Sequence, residues 1–268
     1  MKFLFLEPFY GGSHGDFADG WVKHSRHRFD LFTLPARFWK WRMRGAALYL
    51  AKKVKNAAEY DGLITSSLMS LSDLKALWGP DCPRALVYFH ENQLSYPLPP
   101  GETMDYQFGF TDVTTGLVAD RVLFNSQTHM DAFFGSLPGF MKMMPEYRPH
   151  WVGDQIRAKA AVLYPWCNFP AGPAELKAWD LSKPPLIIWN HRWEFDKSPE
   201  TFFAALESVL SAGFEFRLAL LGENFQVVPK PFLTAREKFG ERIVQYGYEV
   251  SKKKYQDWLK QGVIVVST

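Results

Sequence analysis

Two cysteines in 268 residues, Cys82 and Cys167, exclude a disulfide framework, and their separation has no metal-ligand spacing. Both are expected to stay reduced. Long apolar runs are missing as well. Stretches such as Leu117 to Leu123 and Val263 to Val266 fall far short of the ~20 residues a membrane helix needs, so no span is expected. The N-terminus lacks the apolar region and small-residue cleavage site of a signal peptide, because Lys2 to Leu6 runs straight into Glu7-Pro8. A cytoplasmic protein is the expectation. Disorder and low complexity are excluded in turn: the chain is 47% hydrophobic and 16% aromatic, enough to bury real cores.

Acidic residues are scarce in one place. Residues 21 to 55 carry ten Lys or Arg against one acid, Asp30, a local balance of +9, while the rest of the chain, with 21 basic and 27 acidic residues, sits at −6. The local region is positive enough to attract a polyanion.

What is present is a repeated alternation. The apolar run 2–6 enters the glycine-rich turn Gly11-Gly12-Ser13-His14-Gly15, and a helix is predicted from Asp16, with Phe17, Trp21 and Val22 on one face and Ser13 or Asp16 as its cap. Further strands are predicted at 29–34, 62–65, 85–89, 121–124 and 161–164, with helices at 45–58 and 72–77. Such alternation indicates a doubly wound α/β domain with a parallel sheet. Five prolines between Pro165 and Pro185 then break regular structure. The reading is an N-terminal domain over 1–168, a linker over 169–184 and a second Rossmann-like domain over 185–268. The second domain has strands at 186–189, 215–221, 243–246 and 263–266, alternating with helices at 199–211, 233–239 and 252–259. Its last strand is followed at once by Thr268, with no helix to cover it, so the chain is expected to be the N-terminal piece of a longer protein with its second domain incomplete.

Four constellations suit chemistry. Glycines at 11, 12 and 15 let a ligand approach backbone and helix-start N–H groups, or else simply make a tight turn. The spacing is not G-x-G-x-x-G, and no ribose-binding acid follows the second strand, so a dinucleotide cofactor is not expected. His90-Glu91-Asn92-Gln93 follows an apolar strand, at the sheet end where ligands bind in open α/β folds. His90 reads either as a donor to a sugar hydroxyl or as a satisfied strand-end histidine. H-E-x-x-H is absent, and no metal is expected. Arg192 and Lys197 flank a helix start at Pro199, a setting for a diphosphate or for two solvated cations. Arg37-Phe38-Trp39-Lys40-Trp41-Arg42-Met43-Arg44 interleaves cations with rings, as nucleic-acid binding requires and as a solvated helix face with inward aromatics also does.

The opening Glu7-Pro8-Phe9-Tyr10-Gly11-Gly12-Ser13-His14, the His90 to Gln93 block and Asn190-His191-Arg192-Trp193-Glu194 with Lys197 together resemble the tRNA-queuosine α-mannosyltransferases. These are retaining, family 4-like GT-B glycosyltransferases. The resemblance implies two Rossmann-like domains facing a cleft, GDP-mannose as donor substrate, no cofactor and queuosine in tRNA as acceptor. It implies catalytic roles for His90, Arg192 and Lys197. Gly11, Gly12, Arg192, Lys197 and Glu223 would then face the donor, and Ser13, His14, Glu91, Asn92 and Gln93 the sugar or acceptor. Arg37, Trp39, Lys40, Trp41, Arg42 and Arg44 would contact RNA. In this group a carboxylate-bearing motif lies just beyond the strand that reads 263–267 here, and the chain stops before it. The same fold with a lipid or polysaccharide acceptor, or a noncatalytic RNA-binding protein on a transferase scaffold, are the alternatives.

Overall fold

The apolar runs pair in parallel and form two separate sheets. The computed structural model describes residues 1–99, 101–166, 180, 182–223 and 228–268. Two compact units result, one grouping 1–97 with 103–170 and the other 98–102 with 171–268. Most of the expected linker, and Cys167, lie outside the described residues.

The first sheet holds β1 (Lys2–Tyr10), β2 (Arg28–Pro35), β3 (Gly62–Ser66), β4 (Ala85–Phe89), β5 (Arg121–Phe124) and β6 (Ala160–Val162), in the order β2-β1-β3-β4-β5-β6. Both faces of β1 are buried. Leu4 and Leu6 pack into one apolar cluster and Phe5 into another, as period-2 alternation on a doubly covered strand demands. The order of connection reverses between β1 and β3, and side chains at their carboxyl ends therefore border a topological switch point. Here β1 runs further than the sequence suggests. Pro8 does not end it, because the pairing with β2 is irregular between Glu7 and Tyr10, where a missing N–H is tolerated.

Around this sheet lie α1 (Gly12–His24), α2 (Trp39–Lys53), α3 (Leu71–Trp78), α4 (Tyr106–Val118), α5 (Gln127–Lys142) and α6 (Val152–Arg157). Two expectations are corrected. α1 starts at Gly12, so the supposed turn forms its first coil; neither Ser13 nor Asp16 caps it, and Gly11 holds the N-cap position with no side-chain bond. α2 begins at Trp39, not Gly45, after Phe38 turns the backbone left-handed at φ 56°. Its buried stripe, Met43, Ala46, Ala47 and Leu50, has i, i+3, i+4, i+7 spacing that starts within the basic segment. α4, rich in Thr and Gly, shows no clear apolar stripe in sequence. Its Gly109 allows close packing, since a Cβ there would stand 2.6 Å from the Phe140 ring. Gly109→Ala is accordingly expected to lower stability by about 1–3 kcal/mol through overpacking, despite alanine's better helix propensity. A thermal melt checks the sign.

The second sheet has the order β10-β7-β8-β9, built from β7 (Leu186–Trp189), β8 (Arg217–Leu220), β9 (Ile243–Tyr246) and β10 (Ile264–Val266). It is accompanied by α7 (Pro199–Ser211), α8 (Lys230–Phe239) and α9 (Lys252–Gln261). Trp189, Phe202, Phe203 and Phe232 fill its core. No helix among the described residues is long and apolar enough to cross a membrane.

Candidate active site

In the first unit, three polar side chains meet at the carboxyl ends of the strands. Glu7, in β1, is wholly buried. Its Oε1 accepts from the Phe9 amide at 3.0 Å and, across the switch point, from Ser66 Oγ at 2.9 Å. His14, in the first turn of α1, places Nδ1 3.5 Å from the same oxygen. The His14 ring stacks on His90 with centroids 3.9 Å apart. Phe17 and Tyr88 close further sides of His90 at 4.9 and 4.7 Å. His90 is half-buried, with Nε2 shut off from water and without a hydrogen-bond partner. Burial, followed by repulsion from His14 and His129, pushes the His90 imidazole well below its ordinary pKa.

The block after His90 divides. Asn92 is buried and builds its own loop: Oδ1 accepts from the Leu94 and Ser95 amides, both at 3.0 Å, and Nδ2 bonds Ser95 Oγ. The Gln93 amide donates to Asp112 Oδ2 at 2.6 Å. The Glu91 carbonyl accepts from Ser67 Oγ, and the His90 carbonyl from Asn125 Nδ2. His90 is thus fixed by its backbone at a strand end, and Glu91 and Gln93 remain half-buried beside it. Asp112, fully buried in α4, is pushed well above the usual carboxyl range by loss of solvation. His129, in α5, is held down at about 4 by burial.

The two leading glycines do different work. Gly11 is extended, and a Cβ there would press within 2.7 Å of Ala36 Cβ, so its first demand is close packing against the chain after β2. Gly12 is open to solvent and left-handed at φ 51°. A β-branched residue at position 12 would strain the backbone, whereas Asn tolerates this region. Gly12→Asn is expected to fold with a melting temperature near that of the parent and to lose activity if a ligand approaches this backbone. Activity per folded molecule equal to the parent's would make Gly12 a turn residue only. Ser13 is exposed beside it.

In the second unit, β7 delivers the segment 190–198. The Trp193 amide donates to the Glu223 carbonyl at 2.9 Å, and its ring stacks on Phe232 at 4.2 Å. Gly222 permits this crossing, since a Cβ there would fall 1.8 Å from the His191 carbonyl oxygen. Arg192 and half-buried Glu223 are thereby carried at the carboxyl ends of adjacent strands, β7 and β8. Arg192 Nη2 lies 3.0 Å from Glu194 Oε2, and Lys197 Nζ 2.7 Å from Asp196 Oδ2. Ser198, left-handed at φ 46°, then starts α7 without a side-chain cap. The first N–H groups of α7 and two cations thus lie within one short segment, an arrangement suited to an anion.

The basic stretch is a half-solvated helix start. Phe38 and Trp41 are exposed at 68% and 74%, while Trp39 packs on Phe108 at 5.1 Å beneath Lys40. Arg42 bonds the Pro35 carbonyl through Nε and Nη2, and Arg44 bonds Thr111 Oγ1 at 3.1 Å. Arg37 and Lys40 are exposed. Aromatic rings thus point both inward and outward, and the cations divide between tethered and exposed.

Sequence reasoning missed Glu7, Ser66, Asp112 and His129 as members of this neighbourhood. Glu7 stands in an apolar strand before a proline, which reads as a strand end, and its partner Ser66 is 59 residues away. A charged residue inside a strand otherwise buried on both faces is the one signal that could have revealed it.

Comparison with known proteins agrees with this architecture. An alpha-glucosyltransferase solved with UDP superimposes with a TM-score of 0.57 at 12% identity, covering 100% of this chain and 73% of that one. TarM gives 0.54 at 12% identity, over 83% of this chain and 39% of its own. At such identity the likeness establishes the fold, two Rossmann-like sheets of the GT-B glycosyltransferase type. A curated Drosophila melanogaster tRNA-queuosine alpha-mannosyltransferase is 36% identical over 275 residues, 99% of this chain and 72% of its own length. Residues 2–166, which hold Glu7, His14, His90 and the basic stretch, match the family model for the N-terminal region of these enzymes. With the fold, the N-terminal match and an alignment that runs nearly the whole length of the chain in agreement, the chain belongs to the tRNA-queuosine alpha-mannosyltransferase family of glycosyltransferases.

Proposed function

We propose that the protein transfers a mannosyl group from GDP-mannose to queuosine in tRNA with retention of configuration. The observation that carries this reading is the 36% identity to the fly enzyme over 99% of the chain. In a same-face displacement the bond from the anomeric carbon to the diphosphate oxygen breaks. The acceptor hydroxyl oxygen then bonds that carbon from the same side and passes its proton to the departing diphosphate. Arg192, Lys197 and the start of α7 stabilise the negative charge of the leaving group, with Glu223 beside them on the donor side. His90 sits on the sugar side as a hydrogen-bonding imidazole, near Ser13, His14, Glu91 and Gln93. Release of GDP that requires both GDP-mannose and queuosine-containing tRNA tests the reading. GDP release with a lipid or polysaccharide acceptor instead, or tRNA binding without any turnover, contradicts it.

Of the exposed members of the basic stretch, Arg37, Lys40 and Trp41 are the RNA-facing groups in this reading, since exposed Arg44 is tied to Thr111. Affinity for tRNA is expected to fall steeply with salt, and Arg37→Ala with Lys40→Ala to flatten that dependence by about one unit each. Trp41→Ala removes a stacking platform, at about 1–3 kcal/mol. Filter binding across a salt series measures both; a salt-independent affinity would return the segment to an ordinary solvated face.

A further inference from the structure

Pairing of β4 with its neighbours ends at Phe89, and residues 90–95, which include His90, Glu91 and Gln93, belong to no strand or helix. Main-chain groups withdrawn from water still need partners, and here side chains supply them. Asn125, just past β5, donates from Nδ2 to the His90 carbonyl at 2.6 Å, and Ser67, just past β3, donates from Oγ to the Glu91 carbonyl at 3.1 Å. The Gln93 amide donates to Asp112 Oδ2 at 2.6 Å, and Asn92 Oδ1 takes the Leu94 and Ser95 amides. Asp112 is the costly member. It is 1% exposed, on a helix whose Phe108, Thr111, Val113 and Thr115 are also buried. A carboxyl gives up its solvation at such a place, and an apolar side chain would not. The bond it takes in return comes from the loop that holds His90.

We propose that Asp112 and Asn125 are positioning residues that clamp the main chain of residues 90–93, one from α4 and one from the end of β5, and so set the directions of His90, Glu91 and Gln93. Neither side chain is among the groups placed beside the sugar; each acts through a neighbour's peptide group. The two clamps are chemically opposite, since Asp112 accepts and Asn125 donates. Asp112→Asn therefore keeps the bond to Gln93, because an amide oxygen accepts where Oδ2 did. Burial pushes the Asp112 carboxyl well above the usual carboxylate range, so this exchange for a neutral amide also changes little in charge. Asp112→Ala leaves the Gln93 N–H unpaired, and Asn125→Ala does the same to the His90 carbonyl. A reacting group displaced by about 1 Å costs about 100-fold in rate, so a loosened loop is read in turnover. This consequence for catalysis rests on the mannosyl-transfer reading; the clamp does not.

Hydrogen exchange at the Gln93 amide of the intact chain, followed by NMR, tests the clamp without any substitution. The expected result is protection by about 100-fold or more over a free chain, although the position lies in a loop. Asp112→Asn should keep that protection and Asp112→Ala should lose it. Unprotected exchange at Gln93 in the unmodified protein overturns the proposal, and decides the matter even if Asp112→Ala does not fold. In turnover, Asp112→Ala is expected to lower kcat per folded molecule by about 10- to 100-fold. GDP affinity in calorimetry should stay within about twofold, because the diphosphate is assigned to the second unit, and Asp112→Asn should recover most of the rate. Asn125→Ala should lower kcat in the same way, again without loss of GDP affinity. The parent's kcat in the folded fraction of Asp112→Ala and Asn125→Ala, or a loss in Asp112→Asn as deep as in Asp112→Ala, refutes the positioning role. Absence of mannosyl transfer by the unmodified protein would instead sink the functional reading and leave the exchange result standing.

Discussion

Replacing Arg192 by Ala in the intact protein is expected to lower kcat/KM for GDP-mannose by about 10²- to 10³-fold, equivalent to roughly 2–4 kcal/mol of transition-state stabilisation. The guanidinium meets the Glu194 carboxylate at 3.0 Å, and its side chain is 45% exposed, so the fold does not depend on it. Lys197, held at 2.7 Å by Asp196, should show a similar loss when changed to Ala. GDP affinity falls in calorimetry in both variants; the melting temperature stays near the parent's in Arg192→Ala, while Lys197→Ala also lowers it, because Asp196, whose side chain is 6% exposed, loses its cation. If affinity and rate are unchanged in both, the anion site at the start of α7 is not where the diphosphate binds.

A second large effect concerns acid. His90 and His129 are neutral in the fold, with His129 down at about 4 and His90 well below its ordinary value, both chiefly through burial. His191 is lowered from the same ordinary value, again chiefly by burial. Their unfolded values lie near 6.5, so below that pH the unfolded chain binds protons at these imidazoles that the native chain does not. Stability contributed by these groups is complete above about pH 6.5 and is lost as pH falls through the folded values. Asp112 acts in the opposite sense. Its folded value is raised by burial, so the native chain keeps a proton that the unfolded chain releases above about pH 4. Three imidazoles stand against one carboxyl, and stability should climb as pH rises towards about 6.5. Asp112→Asn removes the opposing contribution and should steepen the climb. Urea unfolding at a series of pH values measures both slopes. A flat profile in the parent would mean that the imidazoles are solvated in the native protein.

How far the molecule is legible in its sequence differs from element to element. Strands such as 186–189 and 85–89 declare themselves, because a parallel strand covered on both faces must be apolar throughout. Ends are less legible. Pro8 looks like a stop and is not one, since an irregular pairing absorbs its missing N–H; α2 begins six residues before its predicted start because Phe38 adopts a left-handed turn that no side-chain pattern announces. His90 could be placed at a strand end from local order alone. Its setting could not, as the stack on His14, the carboxylate of Glu7 and the buried Asp112 come together only through strand pairing and helix packing across long separations. The same holds for Gly222, whose need for glycine arises from a crossing with His191 31 residues earlier.

The most direct test of the function is the nucleoside composition of queuosine-containing tRNA incubated with the intact protein and GDP-mannose, then digested and weighed by mass spectrometry. The expected result is a queuosine nucleoside heavier by one hexosyl unit, formed by the parent and lost in Arg192→Ala. Unmodified queuosine alongside stoichiometric tRNA binding, or hexose found on any other component, would contradict the account.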